Sequence, residues 1–332
     1  MPAPAPRVAL LGATGAVGAE TLAVLEERRF PIGELRVYAS PDSEGEELEF
    51  RGDALKLQRV RADELAACDL VLCAARGALP ELLPALRRGS ARVVDVSGAL
   101  EADPSVPLFV PGVTQPLAAA EKPRFVAVPR GVAVGLALAL APFARAGVLR
   151  RATAVTLESA SGAGIAGVGE LTDHTVQVLN RMSGERSESE VFGQSLAFDC
   201  LPQIGALETS GETSEERALA RVLQRLVSSP GLALELTRVR IPTLGGSLAA
   251  VHLELADARS GAQVRELLAG QKRVAILPEG ELPTPRAALG HDDVAIGRLR
   301  ASGTRAAFVL ALNDLRLGAA LGVVAAAEAL LG

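Results

Sequence analysis

The sequence predicts an α/β protein with a Rossmann-like, doubly wound parallel sheet, followed by a second domain of the α+β class. Short apolar runs alternate with helical segments up to residue 130, and a glycine-rich turn follows the first run. From residue 131 the pattern changes to longer strands and helices. We expect a dinucleotide-binding domain over 1–130, completed by a C-terminal helix in 314–332. A dimerisation and substrate domain then covers 131–313.

The first apolar run, Val8–Leu11, predicts a buried parallel strand, and Gly12, Gly15 and Gly18 then open a helix. Glycine lets the backbone turn sharply and approach a pyrophosphate, which the N–H groups at a helix start attract. The spacing is a variant of the dinucleotide-binding fingerprint, although such a turn can also be purely structural. The expected contacts to NAD or NADP are Gly12, Thr14, Gly15, Ala16, Val17 and Ser40.

The remaining elements follow in order along the chain. In the first domain we predict strands at Leu35–Ala39, Asp69–Cys73, Arg92–Val96 and Phe125–Val128, a hairpin at Glu47–Leu57 and a helix at Leu79–Arg88. In the second we predict an apolar helix from Val132, strands at Ala152–Leu157, Thr237–Ile241 and Leu248–Leu255, a polar loop at Arg181–Glu190 and an amphipathic helix at Glu215–Leu226. The last helix, Arg316–Leu331, is expected to return to the first domain.

Composition and charge exclude several classes of function. The net charge is −5 and no Lys/Arg block occurs, which argues against nucleic-acid binding. The three cysteines and three histidines show neither disulfide nor metal spacing, so we expect a cytoplasmic protein without a metal. The apolar stretch Val132–Ala144 is too short to cross a bilayer, and Met1–Pro6 lacks the apolar segment of a secretory signal.

Six segments along the chain carry a resemblance to a known family. They are Gly12–Gly18, Asp103–Leu108, Ser161–Gly164, Pro202–Gly205, Val239–Pro242 and Asp314–Ala320. In this order they resemble the aspartate-semialdehyde dehydrogenase family over nearly the whole chain. The resemblance implies a homodimer whose second domain carries the active site. It also implies reduction of an acyl phosphate to an aldehyde by NADPH, through a thioester on a cysteine.

That reaction needs a thiolate nucleophile, a base, and cations for phosphate and carboxylate. By the resemblance, the family's cysteine corresponds to Gly131, its histidine to Ser247 and its glutamine to Glu158. Its phosphate-binding arginine corresponds to Glu101, and only the arginine that clamps the substrate carboxylate is kept, as Arg240. We therefore predict that no catalytic residue of the family reaction is left.

Two functions follow from these departures. The first is a non-catalytic homodimer with a dinucleotide-binding or regulatory role, alone or as the partner of an active relative. The alternative is an NAD(P)-dependent oxidoreductase that acts on a small acid or aldehyde without a thioester. Cys73 and Cys68 are expected in the core and Cys200 in a structural position, while His252 should point away from Ser247.

The charged groups of the vacated substrate pocket should pair with one another, because a buried carboxylate without a partner is costly. These groups are Glu101, Arg130, Glu158 and Arg240. We predict an Arg240–Glu158 ion pair that occupies the carboxylate anchor, and an Arg130 side chain that fills the space beside Gly131.

The cofactor loop and the second domain carry two further expectations. Asp42 lies where the family often has an arginine for the 2′-phosphate of NADP. NAD should therefore bind at least as well as NADP, although both can be weak or absent. The strands between Thr237 and Leu255 carry few charges on their outer side, which favours coverage by a second copy.

Overall fold

The computed structural model describes residues 5–115, 117, 122–180, 189–228 and 231–332. The chain forms two compact units, one of Met1–Arg130 with Ala319–Gly332 and one of Gly131–Gly318. Most of the predicted polar loop Arg181–Glu190 lies outside the described residues, and so does most of the N-terminal lead Met1–Pro6.

The first unit is built on a parallel sheet. Its strands are β1 (Arg7–Leu11), β2 (Glu34–Tyr38), β3 (Glu47–Phe50), β4 (Asp53–Lys56), β5 (Leu70–Cys73), β6 (Arg92–Asp95) and β7 (Phe125–Ala127). The sheet order is β2-β1-β5-β6-β7 with every pairing parallel, while β3 and β4 form a separate antiparallel hairpin. Every residue of β5 is buried, as expected for a strand covered on both faces. The predicted Rossmann-like fold class is confirmed.

The helices of this unit are α1 (Ala16–Glu27), α2 (Ala62–Ala66) and α3 (Leu79–Arg88). Helix α3 has the predicted bounds because its sequence marks both ends. A proline and an acidic residue lie in the first turn, and Arg87 and Arg88 lie in the last turn, where they complement the helix dipole. Leu79, Leu82 and Leu86 form its buried stripe.

The second unit is a mixed sheet with helices. In chain order its elements are α4 (Val132–Arg145), β8 (Leu149–Glu158), α5 (Gly164–Leu179), α6 (Ser214–Val227), β9 (Ala233–Arg240), β10 (Ser247–Leu255), α7 (Gly261–Ala269), β11 (Val274–Ile276), α8 (Pro285–Ala288), β12 (Val294–Ser302) and β13 (Arg305–Leu312). The strand order is β11-β12-β13-β10-β8-β9, with parallel pairs at both edges and antiparallel pairs between them. Helices α5, α7 and α8 and strands β11, β12 and β13 were not predicted from the sequence.

Helix α4 covers the inner face of this sheet. All positions from Val132 to Phe143 are buried, in keeping with a helix that is apolar on every side. It packs against α6, β8, β10 and β13. Strand β10 shows the resulting alternation, since Ser247 is buried on the inner face and His252 is exposed on the outer face. The polar row described below lies at the end of this inner face.

The C-terminal region differs from its prediction. Residues Arg316–Ala320 form a π-helical turn, and the α-helix α9 begins only at Leu321 and ends at Leu331. Helix α9 belongs to the first unit, where it packs on α1, β5 and β6. Among the described residues, no helix has the length and apolar character needed to cross a membrane.

Candidate functional site

A row of polar side chains crosses three neighbouring strands at one end of the second unit's sheet. Glu158 of β8 lies directly opposite Ser247 of β10 on one side and Arg240 of β9 on the other. Directly opposed residues share a face, so these side chains point to the same side as the buried core. All three residues are buried. Glu158 at the end of β8 and Arg240 at the end of β9 therefore lie side by side on adjacent strands.

Glu158, however, pairs with Arg238 and not with Arg240. Arg238 Nε donates to Glu158 Oε1 at 2.7 Å and Nη2 donates to Oε2 at 2.8 Å, a bidentate arrangement. Thr156 Oγ1 adds a third donor to Oε1 at 2.8 Å. Burial has the largest effect and by itself would raise the pKa of the Glu158 carboxyl. The Arg238 hydrogen bonds, the positive charges of Arg238 and Arg240 and the Thr156 hydrogen bond together outweigh it and hold that pKa below its ordinary value.

The Arg238 guanidinium is also tied to the start of α6. Its Nη1 donates to the Glu215 side chain at 2.9 Å and to the Glu215 backbone carbonyl at 3.2 Å. Its backbone N–H donates to Glu216 Oε1 at 2.9 Å. Every nitrogen of this guanidinium thus has an acceptor. Sequence reasoning missed Arg238, although its place two residues before Arg240 puts both side chains on one face of β9.

Arg240 keeps a free anion-binding edge. Its Nη1 donates to the backbone carbonyl of Ser159 at 2.6 Å, and its guanidinium carbon lies 5.9 Å from the centre of the Phe192 ring. Within the described residues, its Nε and Nη2 donate no hydrogen bond and no carboxylate forms an ion pair with it. Neither nitrogen is fully enclosed. Burial lowers the pKa of the Arg240 guanidinium.

The predicted Arg240–Glu158 ion pair is therefore wrong. The physical reason is that Arg238 offers Glu158 two parallel hydrogen bonds that satisfy both carboxylate oxygens. Arg240 instead reaches across Gly162, where an added Cβ would lie 2.5 Å from Nη1. A glycine at this position lets the guanidinium approach the Ser159 carbonyl.

A buried carboxylate organises the hydroxyl groups beside this row. Asp314 Oδ2 accepts hydrogen bonds from Ser161 Oγ at 2.8 Å, Ser159 Oγ at 3.1 Å and Ser247 Oγ at 3.4 Å. Its Oδ1 accepts from the backbone N–H of Gly246 at 3.1 Å. Ser159 Oγ and Ser161 Oγ also lie 2.7 Å apart, and either hydroxyl can be the donor of that bond. The carboxylate and the three hydroxyl groups therefore form one hydrogen-bond network. Within the described residues no histidine hydrogen-bonds to them, and His252 is on the other face of the sheet.

Gly131 is the N-cap of α4 and has φ 57° and ψ −132°, a combination that residues with a side chain rarely adopt. Its N–H donates to the Gly318 carbonyl at 2.8 Å. A Cβ at Gly131 would meet no heavy atom within 4 Å, apart from its own chain neighbours. The position therefore has space for a side chain, but its backbone suits glycine.

The two remaining residues of the predicted pocket, Glu101 and Arg130, belong to the first unit. The Arg130 guanidinium lies against Gly98, where an added Cβ would be 3.1 Å from Nη2. This contact with Gly98 was not foreseen from the sequence, and the placement of the Arg130 side chain beside Gly131 stays a prediction. Glycine at position 98 leaves room for the guanidinium within the first unit.

The glycine-rich turn of the first unit has the geometry of an anion-binding helix start. The N–H groups of Gly12 and Ala13 donate to the Tyr38 carbonyl at 2.8 and 3.1 Å, and Gly12 has φ 81°. Helix α1 starts at Ala16 without a capping side chain and without an acidic residue in its first turn. Its first N–H groups are therefore available to a phosphate. Thr14 and Ser40 are exposed.

Two of the three cysteines are buried and one is exposed. Cys73 is buried at the end of β5, and burial, with Asp95 nearby, raises the pKa of its thiol to about 12. Cys68 is also buried, while Cys200 is exposed. The backbone of Leu201, which follows Cys200, forms an antiparallel β-bridge with Arg240. The large separation of these residues along the chain gave no indication that they are close in the fold. The described residues contain no cluster of metal-binding side chains.

Comparisons with known proteins identify the relatives of this chain. Residues 7–120 match the family model "Semialdehyde dehydrogenase, NAD binding domain", and residues 140–316 match "Semialdehyde dehydrogenase, dimerisation domain". The aspartate-semialdehyde dehydrogenase of Prochlorococcus marinus is 34% identical over 331 residues, which cover 98% of this chain and 95% of the relative. The chain belongs to the aspartate-semialdehyde dehydrogenase family.

Two further matches extend across the whole chain. The crystal structure of aspartate-semialdehyde dehydrogenase II from Vibrio cholerae has a TM-score of 0.91 and 33% identity, covering 98% of each chain. A relative from Azotobacter vinelandii named "USG-1 protein homolog" is 31% identical over 333 residues, covering 99% of this chain and 98% of the relative. Dehydrogenases and a protein of a different name are thus both similar to this member of the aspartate-semialdehyde dehydrogenase family.

Proposed function

We propose that this family member binds a small carboxylate at Arg240 and a nicotinamide dinucleotide at the Gly12–Val17 turn, and that it does not carry out the phosphorylating aldehyde dehydrogenase reaction. The observation that carries the proposal is the burial of the Arg240 side chain without a carboxylate partner in the described residues. Arg240 is 7% exposed, it has no carboxylate partner in the described residues, and two of its nitrogens donate no hydrogen bond.

The charges of Glu158 and Asp314 attract the Arg240 guanidinium, but neither carboxylate forms an ion pair with it in the described residues. Buried N–H groups without an acceptor are costly unless a ligand supplies one. Every nitrogen of the nearby Arg238 guanidinium donates to Glu158 or Glu215, so of these two arginines it is Arg240 that has N–H groups without an acceptor in the described residues. A guanidinium edge is suited to the two oxygens of a carboxylate. Loss of Arg240 would therefore remove a recognition site, whereas loss of Arg238 would remove a structural ion pair.

The absence of the family reaction is supported by the residues at its three chemical positions. Gly131 supplies no nucleophile, and its backbone would strain a cysteine by about 1–3 kcal/mol. Ser247 is a hydrogen-bond donor to Asp314 and cannot replace a titrating imidazole as a base at neutral pH. Glu158 is held as an anion by Arg238. These residues leave no group to form or hydrolyse a thioester.

The dinucleotide would be held by the residues of the first turn. When bound, it supplies a nicotinamide that exchanges a hydride with a substrate. Gly12 allows the tight turn that ends β1, and the uncapped start of α1 offers N–H groups to the pyrophosphate. Asp42 is exposed in the loop after β2 and would repel a 2′-phosphate, so we expect NAD to bind at least as well as NADP.

Calorimetry with succinate tests the carboxylate site, with succinamide as an uncharged ligand control. Arg240→Met should weaken succinate binding by about tenfold or more, because a hydrogen bond to a charged group contributes about 1.5–3 kcal/mol. Arg217→Met is the matched control, since it removes an arginine that is half-exposed and pairs with Glu208 on the surface. Equal succinate affinity in wild type and Arg240→Met would refute the proposed site.

An oxidoreductase without a thioester remains the second candidate, because the open Arg240 edge and the dinucleotide turn would serve it equally well. The two functions differ in whether the protein transfers a hydride. Consumption of NADH or NADPH in the presence of a small aldehyde, dependent on Arg240, would favour the oxidoreductase. Binding of both ligands without consumption supports the non-catalytic role.

We also propose a homodimer, in keeping with the match of residues 140–316 to a dimerisation domain. The outer face of the sheet contributes Val155, which is 39% exposed in the isolated chain. Pairing with an active relative would use the same face. The free cysteines are consistent with the cytoplasm that we infer as its location.

A further inference from the structure

Glu158 lies beside two arginines, Arg238 and Arg240. Whichever arginine it pairs with determines whether the Arg240 guanidinium is available to an anion. Arg240 is its direct cross-strand neighbour, whereas Arg238 lies opposite Thr156, two positions earlier on the same face. The Glu158 carboxylate pairs with Arg238, and in the described part of the chain Arg240 forms no ion pair. Glu158 is itself only 6% exposed, so it needs a cation in either arrangement.

The pairing of Glu158 with Arg238 depends on the contacts between Arg238 and the start of α6. Thr213 and Glu216 form a capping box, in which Thr213 N donates to Glu216 Oε2 at 2.7 Å. The other oxygen of Glu216 accepts from the Arg238 backbone N–H at 2.9 Å, and Glu215 accepts from the guanidinium. The start of α6 therefore positions both the backbone and the side chain of Arg238 through contacts that do not involve Glu158.

We propose that Arg238 is a positioning residue that holds Glu158 away from Arg240 and thereby sets the affinity of the Arg240 site for carboxylates. This inference rests on the proposed carboxylate-binding function. Arg238 does not touch the ligand in this arrangement, because all its nitrogens are already bonded. It acts by engaging the competing internal carboxylate.

Removal of Arg238 leaves Glu158 buried with Arg240 as the cation directly across the strand pair. Pairing with Arg240 would then satisfy Glu158, and an incoming carboxylate would have to displace it. If Glu158 is changed to glutamine as well, the competitor is gone and Arg240 stays free. The double variant has the net charge of the wild type, so it separates local competition from the overall loss of a positive charge.

The test is succinate calorimetry on Arg238→Met, Glu158→Gln and the double variant Glu158→Gln/Arg238→Met, with Arg217→Met as a control of equal charge. We expect Arg238→Met to weaken binding by about tenfold or more, and the double variant to return to within about threefold of wild type. Glu158→Gln alone should bind at least as tightly as wild type, and Arg217→Met should not change the affinity.

The possible outcomes distinguish the carboxylate site at Arg240 from the positioning role of Arg238. If Arg240→Met abolishes succinate binding but Arg238→Met binds as wild type, the carboxylate site stands and the role of Arg238 is refuted. If the double variant binds as weakly as Arg238→Met, competition by Glu158 is refuted. Should Arg238→Met fail to fold, the double variant and Glu158→Gln still decide, since weak binding by either contradicts the inference. Absence of succinate binding by the wild type overturns both claims.

Discussion

Replacing Glu158 by glutamine tests the electrostatic organisation of the second unit. The side chains of Arg238 and Glu158 are 13% and 8% exposed, so the pair is largely removed from water. Removing one member of a buried pair typically destabilises a protein by about 3–5 kcal/mol, because the other charge is left uncompensated. Arg238 would retain its bond to Glu215, whose side chain is 50% exposed. We therefore expect Glu158→Gln to lower the free energy of unfolding by about 3 kcal/mol, near the lower end of that range.

The assay is urea unfolding of the full chain, compared with a matched glutamine variant. Glu235→Gln removes a carboxylate from an exposed pair with Arg151, in which the side chains are 59% and 45% exposed. That control should lose about 0–1 kcal/mol. The double variant Glu158→Gln/Arg238→Met should recover most of the loss, because removal of a whole buried pair is often nearly neutral. An equal loss in Glu158→Gln and Glu235→Gln would refute the importance of this pair.

Three further predictions concern pH, cofactor and assembly. Because the pKa of Glu158 lies below its ordinary 4.5, the stability difference between wild type and Glu158→Gln should be full at neutral pH and shrink as the pH falls below 4.5; a pH-independent difference would contradict this. Asp42→Arg should shift preference towards NADPH, and calorimetric binding of NADPH but not NADH by the wild type would contradict the repulsion argument. Light scattering at micromolar concentration should give twice the 34.2 kDa chain mass, and a monomer would refute the homodimer.

The first unit follows closely from local sequence signals. The run Val8–Leu11 with its glycines predicts the strand–turn–helix that the structure shows as β1 and α1. Helix α3 has the predicted bounds because proline and basic residues mark its ends. The start of the last helix could not be predicted in the same way, since the apolar pattern continues through a π-helical turn at Arg316–Ala320.

The candidate site was only partly predictable. Sequence reasoning placed Glu158 and Arg240 together but chose the direct cross-strand pair, whereas bidentate geometry favours Arg238. Alternate residues of a strand face the same side of the sheet, so the position of Arg238 two residues before Arg240 could have indicated it as a partner of Glu158. Asp314 had no such signal, because it contacts Ser159 across 155 residues of sequence through the folded sheet. Contacts of that kind depend on tertiary structure.

A turnover assay most directly tests our proposal that this protein does not carry out the family reaction. Aspartate semialdehyde, inorganic phosphate and either NAD or NADP are supplied, with an active aspartate-semialdehyde dehydrogenase assayed in parallel. Loss of a general base alone commonly lowers a rate by about a hundred- to ten-thousand-fold, and by the proposed correspondence the nucleophile position is occupied by Gly131. We predict no phosphate-dependent formation of NADH or NADPH above background by the wild type or by Gly131→Cys. Sustained turnover by the wild-type protein would contradict this account.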